Sequence, residues 1–147
     1  MQGAPTIHAS AVLVGARAVL IRGPSGAGKS RLALALLDAA KTGRLPFARL
    51  VADDRAHVEA SHGRLLVRPA PALAGLIEVR GLGIMRVPHE PMAVVTLVVD
   101  LAASDAERLP PIRRAAIEGI ELSRLPVAPG ADPVPMVLAA LTMEPAR

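Results

Sequence analysis

Residues 19–30 read VLIRGPSGAGKS and contain the most informative motif of the sequence. Its part from residue 23 to residue 30 matches the pattern G-x-x-x-x-G-K-[ST] at every required position, between an apolar strand and an amphipathic helix. In such a loop, backbone N–H groups point at phosphate oxygens, the lysine reaches the terminal phosphates and the serine hydroxyl binds Mg²⁺. The sequence therefore predicts a P-loop that binds a nucleoside triphosphate with Mg²⁺. The residues of the predicted P-loop are Gly23, Pro24, Ser25, Gly26, Ala27, Gly28, Lys29 and Ser30.

The P-loop by itself does not distinguish an ATPase, a GTPase, a small-molecule kinase and a protein kinase. A GTPase normally needs a base-reading motif of the N-K-x-D type. The chain contains no such motif, and its only lysines are Lys29 and Lys41. The sequence therefore argues against a GTPase and leaves the other three classes open.

Around the P-loop, the apolar pattern predicts many short strands and few helices. The predicted strands are 11–14, 18–21, 48–52, 56–60, 64–68, 76–80, 84–87 and 94–101, and the predicted helices are 30–41, 112–118 and 134–143. Residues 61–63 predict a hairpin turn between two of these strands. We expect an α/β fold with a mixed β core, hairpins and flanking helices, in a single domain over residues 1–147.

The composition excludes several classes of function. Of the 147 residues 52% are apolar, but Phe47 is the single aromatic residue, so the stacking platforms of single-strand nucleic-acid binders are absent. The formal charge of +4 is spread along the chain without a run of like charge. No apolar stretch reaches the ~18 residues that span a bilayer, and the chain has no cysteine. We expect a cytoplasmic protein that binds neither nucleic acid nor membrane.

Five polar residues outside the P-loop are candidates for chemistry. Asp53 and Asp54 end an apolar strand, where a Walker-B carboxylate would lie, although two aspartates can also simply form a turn. Glu78 and Arg80 share one face of a strand, which a surface ion pair would also explain. His8, taken alone, fits an ordinary exposed or core histidine equally well. The residues alone leave these alternatives open.

The order of four segments resembles the catalytic domain of the bifunctional HPr kinase/phosphorylase family. The segments are IHASAVLV at 7–14, VLIRGPSGAGKS at 19–30, LVADDR at 50–55 and IEVRGLGIMRV at 77–87, of which the last resembles the family's signature segment. A weaker resemblance continues over 122–133. The resemblance implies a PEP-carboxykinase-like P-loop fold. It also implies an ATP-dependent kinase that phosphorylates a serine of a small HPr-like phosphocarrier protein of the phosphotransferase system.

The same resemblance implies roles for individual residues. Asp53 would take the proton from the attacking serine hydroxyl, with the help of His8. Arg80 would lie near the phosphates or shape the signature loop. The implied catalytic residues are therefore Asp53, His8, Lys29 and Arg80, and the implied Mg²⁺ ligands are Ser30, Glu78 and Asp54.

The chain departs from the family pattern in two places. It begins almost at His8, so it resembles a short form without the family's N-terminal domain, whose regulation would then be lost or come from another protein such as a sensor. Residues 126–132 read PVAPGAD where the family tends to show PVRPGRN, and both arginines are absent. Because that segment is associated with the reverse reaction, the kinase activity is expected and the phosphorylase activity is in doubt. A ring-like hexamer is a further implication of the resemblance.

Two alternatives from other classes stay open at this stage. One is a regulatory module that binds ATP without turnover, against which the retained Asp53 and Glu78 argue. The other is a small-molecule kinase of the shikimate or adenylate type. Such an enzyme would show a regularly alternating βα pattern and an arginine-rich lid helix, and neither is visible in the sequence.

Overall fold

The computed structural model describes residues 5–106 and 113–146 of the chain. The strands of this part are β1 (Thr6–Val14), β2 (Arg17–Arg22), β3 (Ala48–Ala52), β4 (Arg55–Ser61), β5 (Arg64–Pro69), β6 (Leu76–Val79), β7 (Gly83–Arg86), β8 (Ala93–Asp100), β9 (Arg113–Ile117) and β10 (Ile120–Pro126). The helices are α1 (Lys29–Lys41), α2 (Pro133–Thr142) and one short 3₁₀ turn (Pro71–Leu73). The chain therefore has the predicted mixed α/β character, with a sheet core and two α-helices in its described part.

One large sheet organises the fold. Strands β2, β1, β4, β5 and β8 pair in that order, and β2 also pairs with β8, so these five strands form a closed ring. β3 pairs with β1 outside the ring, while β10 and β9 extend the sheet beyond β8. β8 is parallel to both β2 and β10, and β6 and β7 form a separate antiparallel hairpin. The carboxyl ends of β2 and β8 therefore lie side by side, with Arg22 opposite Asp100.

The apolar run in β2 is continuous because both faces of this strand are buried. Val19 and Ile21 pack in one core cluster with Leu32 and Leu36 of α1. Leu20, which points to the opposite face, belongs to a second cluster enclosed by the strands. The strand that leads into the glycine-rich loop is thus fixed on both sides, and α1 covers the outer side.

Most of the predicted elements are confirmed. The helix predicted over 30–41 is α1, the helix predicted over 134–143 is α2, and the hairpin around residues 61–63 joins β4 to β5. β1 begins at Thr6, five residues before the predicted start at residue 11, because its first residues pair with β4. In the described residues, no helix combines the length and the hydropathy needed to cross a membrane.

The helix predicted over 112–118 is wrong. Residues 113–117 form strand β9, which pairs with the unpredicted strand β10, while residue 112 lies outside the described residues. Glu118 and Gly119 both have positive φ, at 51° and 77°, and form the tight turn of a hairpin. A helical segment of this length is unstable without tertiary support, and here the β10 edge offers pairing instead. Tertiary pairing therefore overrides the helix propensity of the alanines and charged residues.

Candidate active site

The glycine-rich loop joins the end of β2 to the start of α1. Gly26 and Gly28 have φ values of 82° and 102°, a left-handed conformation that favours glycine. A Cβ atom at Gly23 would lie 3.0 Å from the Cβ of Leu101, so this position also needs glycine for close packing. The first turn of α1 contains no acidic residue, so nothing on the helix offsets the positive end of its dipole. The loop therefore has the features of an anion-binding site.

Lys29 is folded back over this loop. Its side chain is 6% exposed, and its Nζ donates hydrogen bonds to the carbonyl oxygens of Gly23 at 2.8 Å and Pro24 at 3.3 Å. These are the first two residues of the loop. The ammonium group is therefore held at the loop by backbone acceptors, without a carboxylate that neutralises it among its hydrogen-bond partners in the described part of the chain.

Asp53 connects the glycine-rich loop to the rest of the site. It directly follows β3 and is 6% exposed. Its Oδ1 accepts hydrogen bonds from the hydroxyl of Ser30 at 2.7 Å and from that of Ser10 at 2.8 Å. Its Oδ2 accepts a hydrogen bond from the backbone N–H of Glu78 at 3.0 Å. Three donors from different segments thus orient one buried carboxylate beside the loop serine.

Ser10 is a member of this cluster that sequence reasoning missed. It lies within β1, is fully buried, and donates to Asp53 while its Oγ accepts a hydrogen bond from the backbone N–H of Asp54 at 3.1 Å. Ser10 is the only polar residue in the apolar run ASAVLV at 9–14. A serine in a buried strand needs a hydrogen-bond partner, and this requirement could have marked Ser10 as a candidate. The sequence could not name that partner, because Ser10 and Asp53 are 43 positions apart.

The side chain of Asp54 lies near that of His8. The φ of 69° at Asp54 turns the chain sharply after β3. The Nδ1 atom of His8 lies 4.0 Å from Oδ1 of Asp54, and both side chains are largely exposed, at 65% and 62%. His8 thus contacts the carboxylate of Asp54, the residue next to Asp53.

Glu78 reaches the site through its backbone. Ile77 beside it is 1% exposed and anchors β6 in the core, while the side chains of Glu78 and Arg80 are exposed. The ion pairs formed by the described residues do not include one between Glu78 and Arg80. The two side chains are therefore exposed to solvent, and the contact with Asp53 comes from the backbone N–H of Glu78.

The donor atoms at this site are suited to Mg²⁺ in kind. No group of three or more His, Asp or Glu side chains within the described ranges is placed to hold a metal ion without further ligands. Mg²⁺, however, commonly takes only one or two carboxylates and completes its shell with phosphates and water. The hydroxyl of Ser30 beside the carboxylate of Asp53 fits that mode of binding.

A network of ion pairs lies at the base of the loop. Asp100, at the end of β8, accepts two hydrogen bonds from Arg22, at 2.7 and 2.9 Å, and a third from Arg124 of β10. Arg124 also donates two hydrogen bonds to the carboxylate of Asp105, and the same carboxylate accepts a hydrogen bond from Arg113. The network joins the ends of β2, β8 and β10 one residue before Gly23 begins the loop. The rule that singled out Asp53, a carboxylate that ends an apolar strand, also applies to Asp100.

The network keeps its acidic groups ionised. Burial raises the pKa of Asp100, but the hydrogen bonds and charges of Arg22 and Arg124 outweigh this effect and hold the pKa below its usual value. The hydrogen bond from Arg124 likewise lowers the pKa of Asp105. Hydrogen bonds to Asp105 and then to Asp100 raise the pKa of Arg124 above its ordinary value. The groups are therefore charged at neutral pH.

Comparison with known proteins places this geometry in a family. The profile of the HPr Serine kinase C-terminal domain matches residues 2–144. The HPr kinase/phosphorylase of Neisseria meningitidis serogroup B is 31% identical over 144 residues, which cover 84% of this chain and 42% of that protein. The HPr kinase/phosphorylase of Clostridium tetani is 42% identical over 82 residues, which cover 56% of this chain and 25% of that protein. The chain thus spans less than half the length of these relatives.

The fold shows the same relationship. The solved structure of the Hpr(Ser) kinase/phosphatase from Coxiella burnetii superposes with a TM-score of 0.73 at 26% identity. The match covers 92% of this chain and 87% of that one. Because both the profile and the structural match extend over nearly the entire chain, this chain belongs to the HPr serine kinase C-terminal domain family.

Proposed function

We propose that this domain is an ATP-dependent serine kinase that phosphorylates a small HPr-like phosphocarrier protein of the phosphotransferase system in the cytoplasm. The single observation that carries the proposal is the hydrogen bond of 2.7 Å between Ser30 of the glycine-rich loop and the buried carboxylate of Asp53. It joins a phosphate-binding element to an acidic group, which are the two parts that phosphoryl transfer requires. The names of the relatives support the same reaction.

The glycine-rich loop is proposed as the ATP site, in a P-loop fold of the PEP-carboxykinase type. Lys29 lies against the loop and would turn from the carbonyls of Gly23 and Pro24 to the terminal phosphates. The positive end of the α1 dipole favours the same anion, since the first turn of the helix carries no acidic residue of its own. These interactions position and neutralise the triphosphate, and positioning supplies much of the catalysis in this class of reaction.

The proposed ligands of Mg²⁺ are Ser30, Glu78 and Asp54, which supply one hydroxyl and two carboxylates. The ion would neutralise the charge on the phosphates during transfer. Glu78 and Asp54 are both exposed, so their side chains are free to turn towards the loop. Glu78 is held in place by the hydrogen bond from its backbone to Asp53.

Asp53 is the proposed acceptor of the proton from the substrate serine. Its Oδ1 already accepts hydrogen bonds from two serine hydroxyls, so it is oriented for a group of this kind. A substrate hydroxyl could take the place of the Ser30 hydroxyl as a hydrogen-bond donor to Oδ1. It would then lie within reach of the proton acceptor, beside the glycine-rich loop. His8 and Asp54 form an exposed pair next to it and would bind the substrate hydroxyl or adjust the charge of the site.

The kinase direction is proposed in preference to the phosphorylase direction. Ala128 and Ala131 stand where the family tends to carry arginines. Arg124 of β10 lies four residues before Ala128, but its guanidinium is held by Asp100 and Asp105 and its side chain is only 16% exposed. Residues 126–132 therefore lack the two arginines that the family associates with the reverse reaction, which favours the kinase direction.

Transfer of labelled phosphate from ATP in the presence of Mg²⁺ and the HPr-like carrier tests the proposal. We expect label on a carrier serine, with a loss of about 10²-fold or more in Asp53→Asn and in Lys29→Ala. Matched controls are Asp38→Asn and Lys41→Ala, which change an exposed carboxylate and the only other lysine, on α1 away from the loop. Binding of ATP without transfer to the carrier would contradict the kinase and favour a nucleotide-binding regulatory module.

A further inference from the structure

Asp53 and Asp54 form a strained turn between β3 and β4. Strand β1 pairs with β3 up to Ala52 and with β4 from Arg55 onward, so the two aspartates interrupt the ladder. The N–H of Arg55 donates to the carbonyl oxygen of Asp53 at 2.8 Å, across Asp54 with its φ of 69°. A hydrogen bond over three residues with a positive φ at the middle one is the pattern of the rare, strained form of the γ-turn. Such a backbone persists only where its surroundings hold it.

Ser10 lies opposite this turn and is bonded to both of its aspartates. Its Oγ accepts a hydrogen bond from the N–H of Asp54 at 3.1 Å, and its own proton is donated to Oδ1 of Asp53 at 2.8 Å. The neighbouring N–H of Ala9 donates to the carbonyl oxygen of Asp54 at 3.1 Å. One fully buried hydroxyl therefore fixes both the backbone of the turn and the carboxylate that the turn presents.

The three donors to Asp53 differ in what the proposed reaction requires of them. Ser30 belongs to the glycine-rich loop, and its hydroxyl is the one that a substrate hydroxyl would replace at Oδ1. The N–H of Glu78 is part of the backbone and donates to Oδ2 at 3.0 Å. Ser10, within β1, keeps its hydrogen bond to Oδ1 when Ser30 leaves. Two fixed donors, one on each oxygen, then determine the direction of the carboxylate.

We propose that Ser10 is the positioning residue of the proton acceptor, a role that rests on the proposed function. Its hydroxyl holds the strained turn and keeps the carboxylate of Asp53 beside the glycine-rich loop. Because Ser10 is fully buried, it acts through Asp53 and does not touch the substrate. Proton transfer requires the donor and the acceptor to lie within hydrogen-bond reach, so a displacement of about 1 Å removes much of the catalytic effect.

The kinetics of Ser10→Ala test this role. We expect the kcat for transfer to the carrier protein to fall about tenfold or more, while the KM for ATP stays within about twofold because the glycine-rich loop is unchanged. Ser10→Thr keeps the hydroxyl and should restore most of the kcat. Ser123→Ala, which removes an exposed hydroxyl from β10, is the matched control and should behave like the unchanged protein. An unchanged kcat in folded Ser10→Ala would overturn the proposal.

Hydrogen exchange of backbone amides, followed by NMR, tests the positioning without any transfer. The N–H of Glu78 is bonded to Asp53 rather than to Ser10, so its protection depends on where the carboxylate lies. In Ser10→Ala its exchange should accelerate about tenfold or more relative to that of Val98, a buried residue paired on both sides that reports global unfolding. Equal acceleration of the two amides would mean that Ser10 contributes only to global stability, and would overturn the positioning role.

The two measurements distinguish this inference from the proposed function. If the unchanged protein does not phosphorylate the carrier, but Ser10→Ala selectively releases the amide of Glu78, the proposed function fails and the positioning of Asp53 stands. If transfer proceeds equally in both proteins, the proposed function stands and the positioning role fails. Ser10→Cys keeps the size of the side chain and weakens its donor, so it replaces Ser10→Ala in both measurements if alanine prevents folding.

Discussion

Asp53 joins three distant parts of the chain through its two oxygens. The glycine-rich loop was predictable because its motif is local, whereas the residues alone left Asp53 open: a carboxylate that ends an apolar strand can lie beside the loop, as Asp53 does, or form structural ion pairs, as Asp100 does. Ser10 was not predictable in the same way. Its role depends on which side of β1 it faces and on a partner 43 positions away, and neither is encoded by neighbouring residues.

Ser10→Ala should destabilise the domain and disturb the site. The substitution removes the hydrogen bond to Asp53 and leaves the N–H of Asp54 without its hydroxyl acceptor. We expect the free energy of unfolding to fall by about 1–3 kcal/mol in urea denaturation. Ser123→Ala, at an exposed position in β10, is the control and should change the stability by less than about 0.5 kcal/mol. Equal stability of the two variants would mean that Ser10 does not support Asp53.

At the scale of elements, the arginine–aspartate network determines how β2, β8 and β10 meet below the loop. The strand predicted over 94–101 differs from β8 by one residue at each end, because a long apolar run that follows prolines suits a buried strand. The sequence did not predict β9 and β10. The arginines and alanines of β9 also suit a helix. The turn at Glu118 and Gly119 that pairs β9 with β10 depends on backbone conformation, which the periodicity of apolar residues does not reveal.

Asp100→Asn should cost more stability than loss of any surface ion pair. The side chain of Asp100 is 15% exposed, and its removal leaves the charges of Arg22 and Arg124 unopposed at that point. We expect a loss of about 3 kcal/mol in the free energy of unfolding. Glu59→Gln, which breaks the exposed pair with Arg68, should cost less than about 1 kcal/mol. Similar losses for the two variants would contradict the structural role of the network.

The contribution of Asp100 should also depend on pH in a definite direction. Its pKa in the folded protein lies below the reference value of 3.8, so the folded state binds this proton less tightly than the unfolded state does. The stabilisation is therefore complete above about pH 5 and is lost as the pH falls through the folded-state pKa. Urea denaturation of the unchanged protein and of Asp100→Asn should give a constant difference at neutral pH that shrinks below about pH 4. A difference that grows on acidification would reverse the sign and refute this account.

At the scale of the whole molecule, the mixed α/β architecture was readable from the sequence. Hairpin turns, one helix after the glycine-rich loop and many short apolar runs already indicate a largely β core. The closed ring of strands was not readable, because it depends on the parallel pairing of β2 with β8, whose partners Arg22 and Asp100 are 78 positions apart. That pairing places Arg22, at the base of the glycine-rich loop, opposite Asp100 of the ion-pair network.

Mass spectrometry of the carrier protein after incubation with ATP, Mg²⁺ and this domain shows whether the site transfers phosphate to a protein. We expect the carrier to gain the mass of one phosphoryl group, and fragmentation should place that group on a serine. Asp53→Asn should leave the carrier unmodified while the variant still binds ATP. A carrier that stays unmodified with the unchanged protein, although ATP is bound, would contradict the claim that this site transfers phosphate to a protein.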